Sequence, residues 1–475
     1  MSHINSIHIV GERRSLPATC SPSVLTCEGC GLIISSRGCQ TCKGKPGIAV
    51  SARMDSPVLT SQVLPVVRID ESLSPSPLEV LQWPCRVMRH VPKCARLLWC
   101  QNLTSAIHNF VSTPSTVSLA KLFILPKVLL AESVRGGKRA KRAHGCHIIQ
   151  MMQRWADGEW LSLWAELKDS SSVCSVPHQT LGPAQDPDDE LPRLRRRILK
   201  LLQDQGLSKA ARELFSQGIH TATPEVLKKL TELHPAGLPS DVEMADAACV
   251  WPGLGDTDEE AELKLRRIIM SFPAGSEGGP SKLLPDHLKE AMSCGSALLA
   301  DALLSTLHHF VDICARGELP LDTAEFFTAA TLVPLKKGDI GTGVRPIAVG
   351  EVLRRIVESA ILQEVQDDCV SSLKPLQVGV GIRDATTQIA RLCSLQLPSL
   401  SMDQTVGMLQ IDMVNAFNTL SRACILRQVK RHAPQAYRWA LWSLSHRSVL
   451  VCQNSLVYGQ AGVQQGSLNL FAQQF

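Results

Sequence analysis

Val406-Gly-Met-Leu-Gln-Ile-Asp412 is followed at once by Met-Val-Asn415-Ala-Phe417-Asn418. A short apolar run that ends in a carboxylate reads as a buried strand delivering Asp412 at its tip, before the chain turns into a helix. A carboxylate placed there can hold a metal ion, although many strands end in Asp for turn chemistry alone. Outward from this stretch, Thr331-Leu-Val-Pro334-Leu-Lys336-Lys337 leads into a Gly-rich turn and then Val344-Arg345-Pro346-Ile347. Downstream lies Gly462-Val-Gln464-Gln465-Gly466. From Asp258 onward the chain is dense in apolar residues and mixes helix with short strands, so the fold class expected is α+β.

The rest of the chain is organised differently. The sequence has 475 residues, with Lys+Arg 49 against Asp+Glu 44. The excess is concentrated at the start: residues 1–150 hold 18 basic and 7 acidic side chains. A basic first third points to a polyanion, most often nucleic acid or an anionic membrane surface. At 44% apolar residues the chain can fill real cores. Its 17 cysteines are too dilute for a disulfide scaffold and read as reduced thiols, some of them metal ligands. No uninterrupted apolar run approaches the roughly 20 residues of a membrane span. The first residues do not read as a secretory signal, so a nuclear or cytoplasmic protein is expected.

Residues 1–65 are rich in Ser, Pro, Gly and Cys. They enclose Cys27-Glu-Gly-Cys30 and Cys39-Gln-Thr-Cys42. Two CxxC turns can clamp the two sides of a tetrahedral zinc ion and hold a short coreless segment folded. The eight-residue gap is shorter than ribbon-type spacing; an alternative ligand set is Cys27, Cys30 and Cys42 with a His or Cys20 nearby, and scattered reduced thiols are the bland alternative. Residues 66–168 read as helical over Leu78–Val87, Cys94–Val111, Ser118–Ala131 and Cys146–Leu167. Within them, Arg135-Gly-Gly-Lys138-Arg139-Ala-Lys141-Arg142 places five cations in eight residues. Such a run contacts phosphates through charge, with little sequence preference; a solvated loop or a nuclear-localisation patch would look the same. Trp155, Trp160 and Trp164 suit a partly buried helix face better than a base-stacking platform. Residues 169–257 read as two linkers around a helix pair. The apolar face Leu194, Ile198, Leu201 and Leu202 marks the first helix, and Pro224 starts the second.

Taken in order, Pro334-Leu-Lys-Lys, Arg345-Pro-Ile-Ala-Val, Asp412-x-x-Asn-Ala-Phe-Asn418 and Gly462-Val-Gln-Gln-Gly466 resemble the reverse transcriptases of non-LTR retrotransposons over 258–475. Ser271–Pro280 and Leu284–Leu288 resemble that family's entry to the fingers. Arg89–Pro92, Leu125–Lys127 and Arg135–Gly137 resemble the segment before its polymerase, and the cysteine cluster resembles its N-terminal zinc fingers. The resemblance implies a partial right-hand polymerase, fingers and part of a palm, using an RNA template, DNA and deoxynucleoside triphosphates. It implies Asp412 as ligand of catalytic magnesium ions and Phe417 as the bulky group that excludes a ribose 2′-OH. Arg345, with Lys336 or Lys337, would neutralise the incoming triphosphate, and Gln465 and Gly466 would form the turn beside the nascent base pair. Cys27, Cys30, Cys39 and Cys42 would hold zinc.

The departures are equally specific. After Gly466 the sequence reads Ser467-Leu-Asn-Leu-Phe-Ala-Gln-Gln-Phe475, and the family's aromatic-x-Asp-Asp motif occurs nowhere. Two-metal chemistry needs carboxylates on both sides of the ions. The expectation is therefore a polymerase region inactive as this chain. The competing reading is a non-catalytic, zinc-containing nucleic-acid-binding protein derived from a retroelement.

Overall fold

The computed structural model describes three short strands within 25–47, residues 74–132 and 138–169, scattered positions between 192 and 214, and residues 218–240, 242–337, 343–373, 384–402 and 415–464. Side chains are described over the same spans except 25–47, 138–144, 373, 386 and 396–402. The chain divides into two units, Met1–Arg68 and Ile69–Phe475.

In the first unit β1 (Leu25–Cys27) lies between β2 (Ile33–Ile34) and β3 (Pro46–Gly47), antiparallel to both. Cys27 is the last residue of β1. Cys30, Cys39 and Cys42 lie outside the described residues, as does the side chain of Cys27.

The second unit is mixed α and β. Its helices begin with α1 (Pro77–Gln82), α2 (Arg96–Ser112), α3 (Thr116–Leu129), α4 (Lys138–Ala156) and α5 (Trp160–Asp169). The sequence reads one helix over 146–167; the structure has two. Gly158, at φ 93, lets the chain turn left-handed between them, with Gly158 N–H donating to Trp155 O and Glu159 N–H to Arg154 O. Trp155, Trp160 and Trp164 are all buried, as core rather than platform. Helix α1 stops at Gln82, short of the expected Val87, because Pro84 follows. Its open carbonyls are taken by Lys127, which is fully buried and donates Nζ to Val80 O, Leu81 O and Trp83 O.

Next come α6 (Pro224–Glu232), α7 (Asp258–Ser271), α8 (Pro285–Met292), α9 (Ala297–Ala315) and α10 (Leu321–Phe327). Thr223 caps α6 and Thr257 caps α7, each accepting a backbone N–H in the first turn. Among the described residues α9 is the one helix long and apolar enough to cross a membrane. Its Leu303, Leu307 and Phe310 are instead buried, where it packs against α2 and α7. The sheet consists of β4 (Ala330–Lys337), β5 (Gly343–Gly350), β6 (Ser448–Cys452) and β7 (Ser455–Gly459), in the order β5-β4-β6-β7. The β4–β6 pair is parallel and the others antiparallel. Helix α6 covers one face, with Leu230 against Ala330, Leu332, Leu450, Cys452 and Val457. The remaining helices are α11 (Val352–Leu373), α12 (Ala385–Met402), α13 (Ala416–Thr419), α14 (Arg422–His432) and α15 (Tyr437–Leu444).

Segments 66–168 and 258–475, read separately from sequence, share one core. Phe110 of α2 stacks on Phe327 of α10, which also meets Phe310, Trp439 and Trp442. A second tie is His287 of α8. It is fully buried, and its ring nitrogens meet Leu284 N–H and Met88 O. Burial holds its pKa down at about 4, against 6.5 for an exposed imidazole. The folded state therefore prefers the neutral ring. The stability this confers is fully present above pH 6.5 and is lost as the pH falls from 6.5 towards 4, by up to about 3 kcal/mol. Urea unfolding followed at several pH values should show that decline, and His287→Gln should flatten it.

Candidate nucleotide-binding site

The hairpin β4–β5 presents the cations. Pairing runs from Ala330↔Gly350 to Lys337↔Gly343, with Leu335 opposite Arg345 and Lys336 opposite Val344. Residues directly opposite share a face, and faces alternate along each strand. Arg345 therefore lies on the face of Leu335 and Lys337, diagonal to Lys337. Lys336 lies on the other face, with Val344, beside α6. All three cations are exposed. Sequence alone leaves Lys336 and Lys337 equivalent; the register separates them.

The segment around Phe417 meets the segment around Gly462. Val463 N–H donates to Phe417 O at 2.8 Å and Gly462 N–H to Leu420 O at 2.8 Å. Gly462 has φ 62, and a β-carbon there would collide with the Phe417 carbonyl and lie 2.6 Å from Asn418 Cα. Only glycine fits so close an approach in that conformation. Asn415, at φ 56, opens the turn into α13 in the left-handed region that Asn tolerates. Its amide donates to Leu233 O, and Asn418 donates to Asn415 Oδ1. Phe417 is half-buried. Asp412, Gln465 and Gly466 lie outside the described residues.

Two buried guanidiniums fix the Gly462–Gln464 turn from behind. Arg422 donates to the carbonyls of Gly462 (2.9 Å), Leu444 (3.1 Å), His446 (2.5 Å) and Gly459 (3.2 Å). Burial, and then the charge of Arg354, bring its pKa down to about 10. Arg354 donates to Gln464 Oε1 (2.8 Å), Thr328 O (2.9 Å) and Glu358 Oε1 (2.9 Å). Gln464 in turn donates to Thr328 O, at the foot of β4. This network closes one side of a cavity of about 340 Å³, lined also by Ile347–Gly350 of β5 and by Arg355. Glu351, at the end of β5, accepts from Ser281 N–H and Oγ, and burial raises its pKa.

Sequence reasoning missed Arg354, Glu358 and Arg422. A signal existed for each. Arg354 and Glu358 are spaced i, i+4 on one helix. Arg422 shares an apolar face with Ile425, Leu426 and Val429 at i+3, i+4 and i+7, where a cation needs acceptors.

The basic run is helical. Lys138, Arg139, Lys141 and Arg142 occupy the first two turns of α4, while Arg135 lies outside the described residues. Cations at a helix start oppose the helix dipole. With the full chain, the logarithm of nucleic-acid affinity should fall linearly with the logarithm of salt concentration. The slope should be about −0.7 to −0.9 per phosphate contacted, and replacing Arg135, Lys138, Arg139, Lys141 and Arg142 by Ala should flatten it. An unchanged slope would reduce the run to a solvated helix end.

Among the described residues no three His, Cys, Asp or Glu side chains are grouped to hold a metal ion. No protein-family model matches the chain, and no curated protein matches it.

Proposed function

We propose that residues 258–475 are the fingers and part of the palm of an RNA-directed DNA polymerase of the non-LTR retroelement kind. The observation carrying this reading is the convergence of three motifs far apart in sequence. The Phe417 segment bonds to the Gly462 turn. Gln464 bonds through Arg354 and Thr328 to the base of the β4–β5 hairpin. Arg345 and Lys337 share one face at the hairpin's far end. A deoxynucleoside triphosphate would place its phosphates on those cations, the guanidinium of Arg345 giving bidentate contacts. Asp412 would hold the magnesium ions, which would draw the attacking and leaving oxygens into line. Phe417 would stand against a ribose 2′-OH. Cys27, Cys30, Cys39 and Cys42 would bind zinc, and the start of α4 would bind RNA or DNA backbone.

The register makes the proposal sharp. Titrated with a fluorescent deoxynucleoside triphosphate and magnesium, Arg345→Ala should lose about tenfold or more in affinity, the worth of one charge-assisted contact. Lys337→Ala should lose affinity as well, and Lys336→Ala, on the opposite face, should bind nearly as the parent does. Equal losses at Lys336 and Lys337 would refute the assigned face.

A second reading, a non-catalytic nucleic-acid-binding protein of retroelement descent, is favoured by one observation. The sequence holds no aromatic-x-Asp-Asp motif to complete a two-metal site with Asp412; its Asp-Asp pairs are Asp188-Asp189 and Asp367-Asp368.

A further inference from the structure

Of the eleven described cysteines just two are exposed: Cys94 and Cys146. These two are neighbours, although 52 positions apart. Cys94 sits in the 3-10 turn Lys93–Ala95, which packs against α4, where Cys146 lies. The turn meets α4 at Gly145. The position its β-carbon would take is 3.6 Å from Cys94 Sγ, and Gly145 itself is buried under the turn. Partial burial of its sulfur and the neighbouring Cys146 both push the Cys94 thiol up.

We propose that Cys94 and Cys146 form a reversible redox switch, closing a disulfide that staples α4 to the Lys93–Ala95 turn when a peroxide is the oxidant. The Cys146 thiolate attacks one peroxide oxygen and the O–O bond breaks. A sulfenic acid remains on Cys146, and the departing hydroxide takes up a proton to leave as water. Cys94 sulfur then displaces the sulfenic hydroxyl, its own proton leaving with that hydroxyl as a second water, and the S–S bond forms. Two thiols lose two electrons, and one hydrogen peroxide becomes two waters. A thiol reductant reverses the step by exchange. The staple fixes α4 one turn beyond the basic run Lys138–Arg142, and closing so long a loop restricts the unfolded chain. The switch is independent of any polymerase reading.

The test is mild hydrogen peroxide on the full chain, then alkylation of the remaining thiols and peptide mapping by mass spectrometry. The expected result is loss of two alkylatable thiols per chain, with a peptide pair joining Cys94 to Cys146 as the main new species. Tm should rise by several degrees, and dithiothreitol should reverse both changes. Cys146→Ala should leave Cys94 alkylatable and abolish the rise. Gly145→Val keeps both thiols but crowds the turn off the helix, and should slow cross-linking about tenfold. Three results would each overturn the proposal. They are both thiols surviving while buried cysteines oxidise, cross-links forming only between chains, and Gly145→Val reacting as fast as the parent.

Discussion

No primer extension is expected from the 475-residue chain, on RNA or DNA template, with magnesium or manganese. In-line phosphoryl transfer needs two ions roughly 3.5–4 Å apart, held from both sides. On the proposed reading, Asp412 would be the one palm carboxylate for them. Removing a member of a catalytic set that acts as a unit commonly costs several orders of magnitude in rate. Grafting a family-type helix, the aspartate pair and a thumb after Gly466 should restore extension, and Asp412→Ala should abolish it again. In the graft, Phe417→Ala should admit ribonucleotides, because the volume over the 2′-carbon is then open. Extension by the unaltered chain that survives Asp412→Ala would overturn the metal assignment and the carboxylate argument together.

Phe327→Ala should cost about 3–5 kcal/mol of folding stability. Phe327 is fully buried, with ring centroids of Phe110, Phe310, Trp439 and Trp442 between 5.8 and 6.5 Å away. Those rings come from α2, α9 and α15, elements spread over more than three hundred positions of the chain. Truncation leaves a cavity that rigid indole and phenyl groups cannot collapse to fill, so the cost belongs at the high end of aromatic deletions. Urea unfolding measures it directly. Leu395→Ala on α12, where the side chain is 75% exposed, should change stability by less than about 0.5 kcal/mol. A loss under 1 kcal/mol at Phe327 would mean that the early helices and the later domain do not share a core.

The β4–β5 hairpin was legible in sequence because its signals are local. Val-Pro-Leu-Lys-Lys and Val-Arg-Pro-Ile flank a Gly-rich turn, and strand period and turn chemistry act over a few residues. The proline that starts α6 is local in the same way. Boundaries failed where a single residue intervened, as at Gly158. The sequence also brought out Gly462 as part of a motif, without the reason for it.

That reason is tertiary. Gly462 is required by the Phe417 carbonyl, 45 residues earlier, which no local pattern contains. Arg422 is surrounded by four carbonyls from two separate segments, 444–446 and 459–462, which spacing along its own helix does not show. The choice between Lys336 and Lys337 depends on strand register, which alternation in either strand alone does not fix. The union of 66–168 with 258–475 in one core follows from apolar area that α2 and α3 bury against α9 and α10. Sequence by itself determined the α+β class, the basic start and the motifs with their residue types. Only the tertiary structure decided which of those residues share a face, because side-chain proximity across long loops is set by packing of the whole core, not by spacing along the chain.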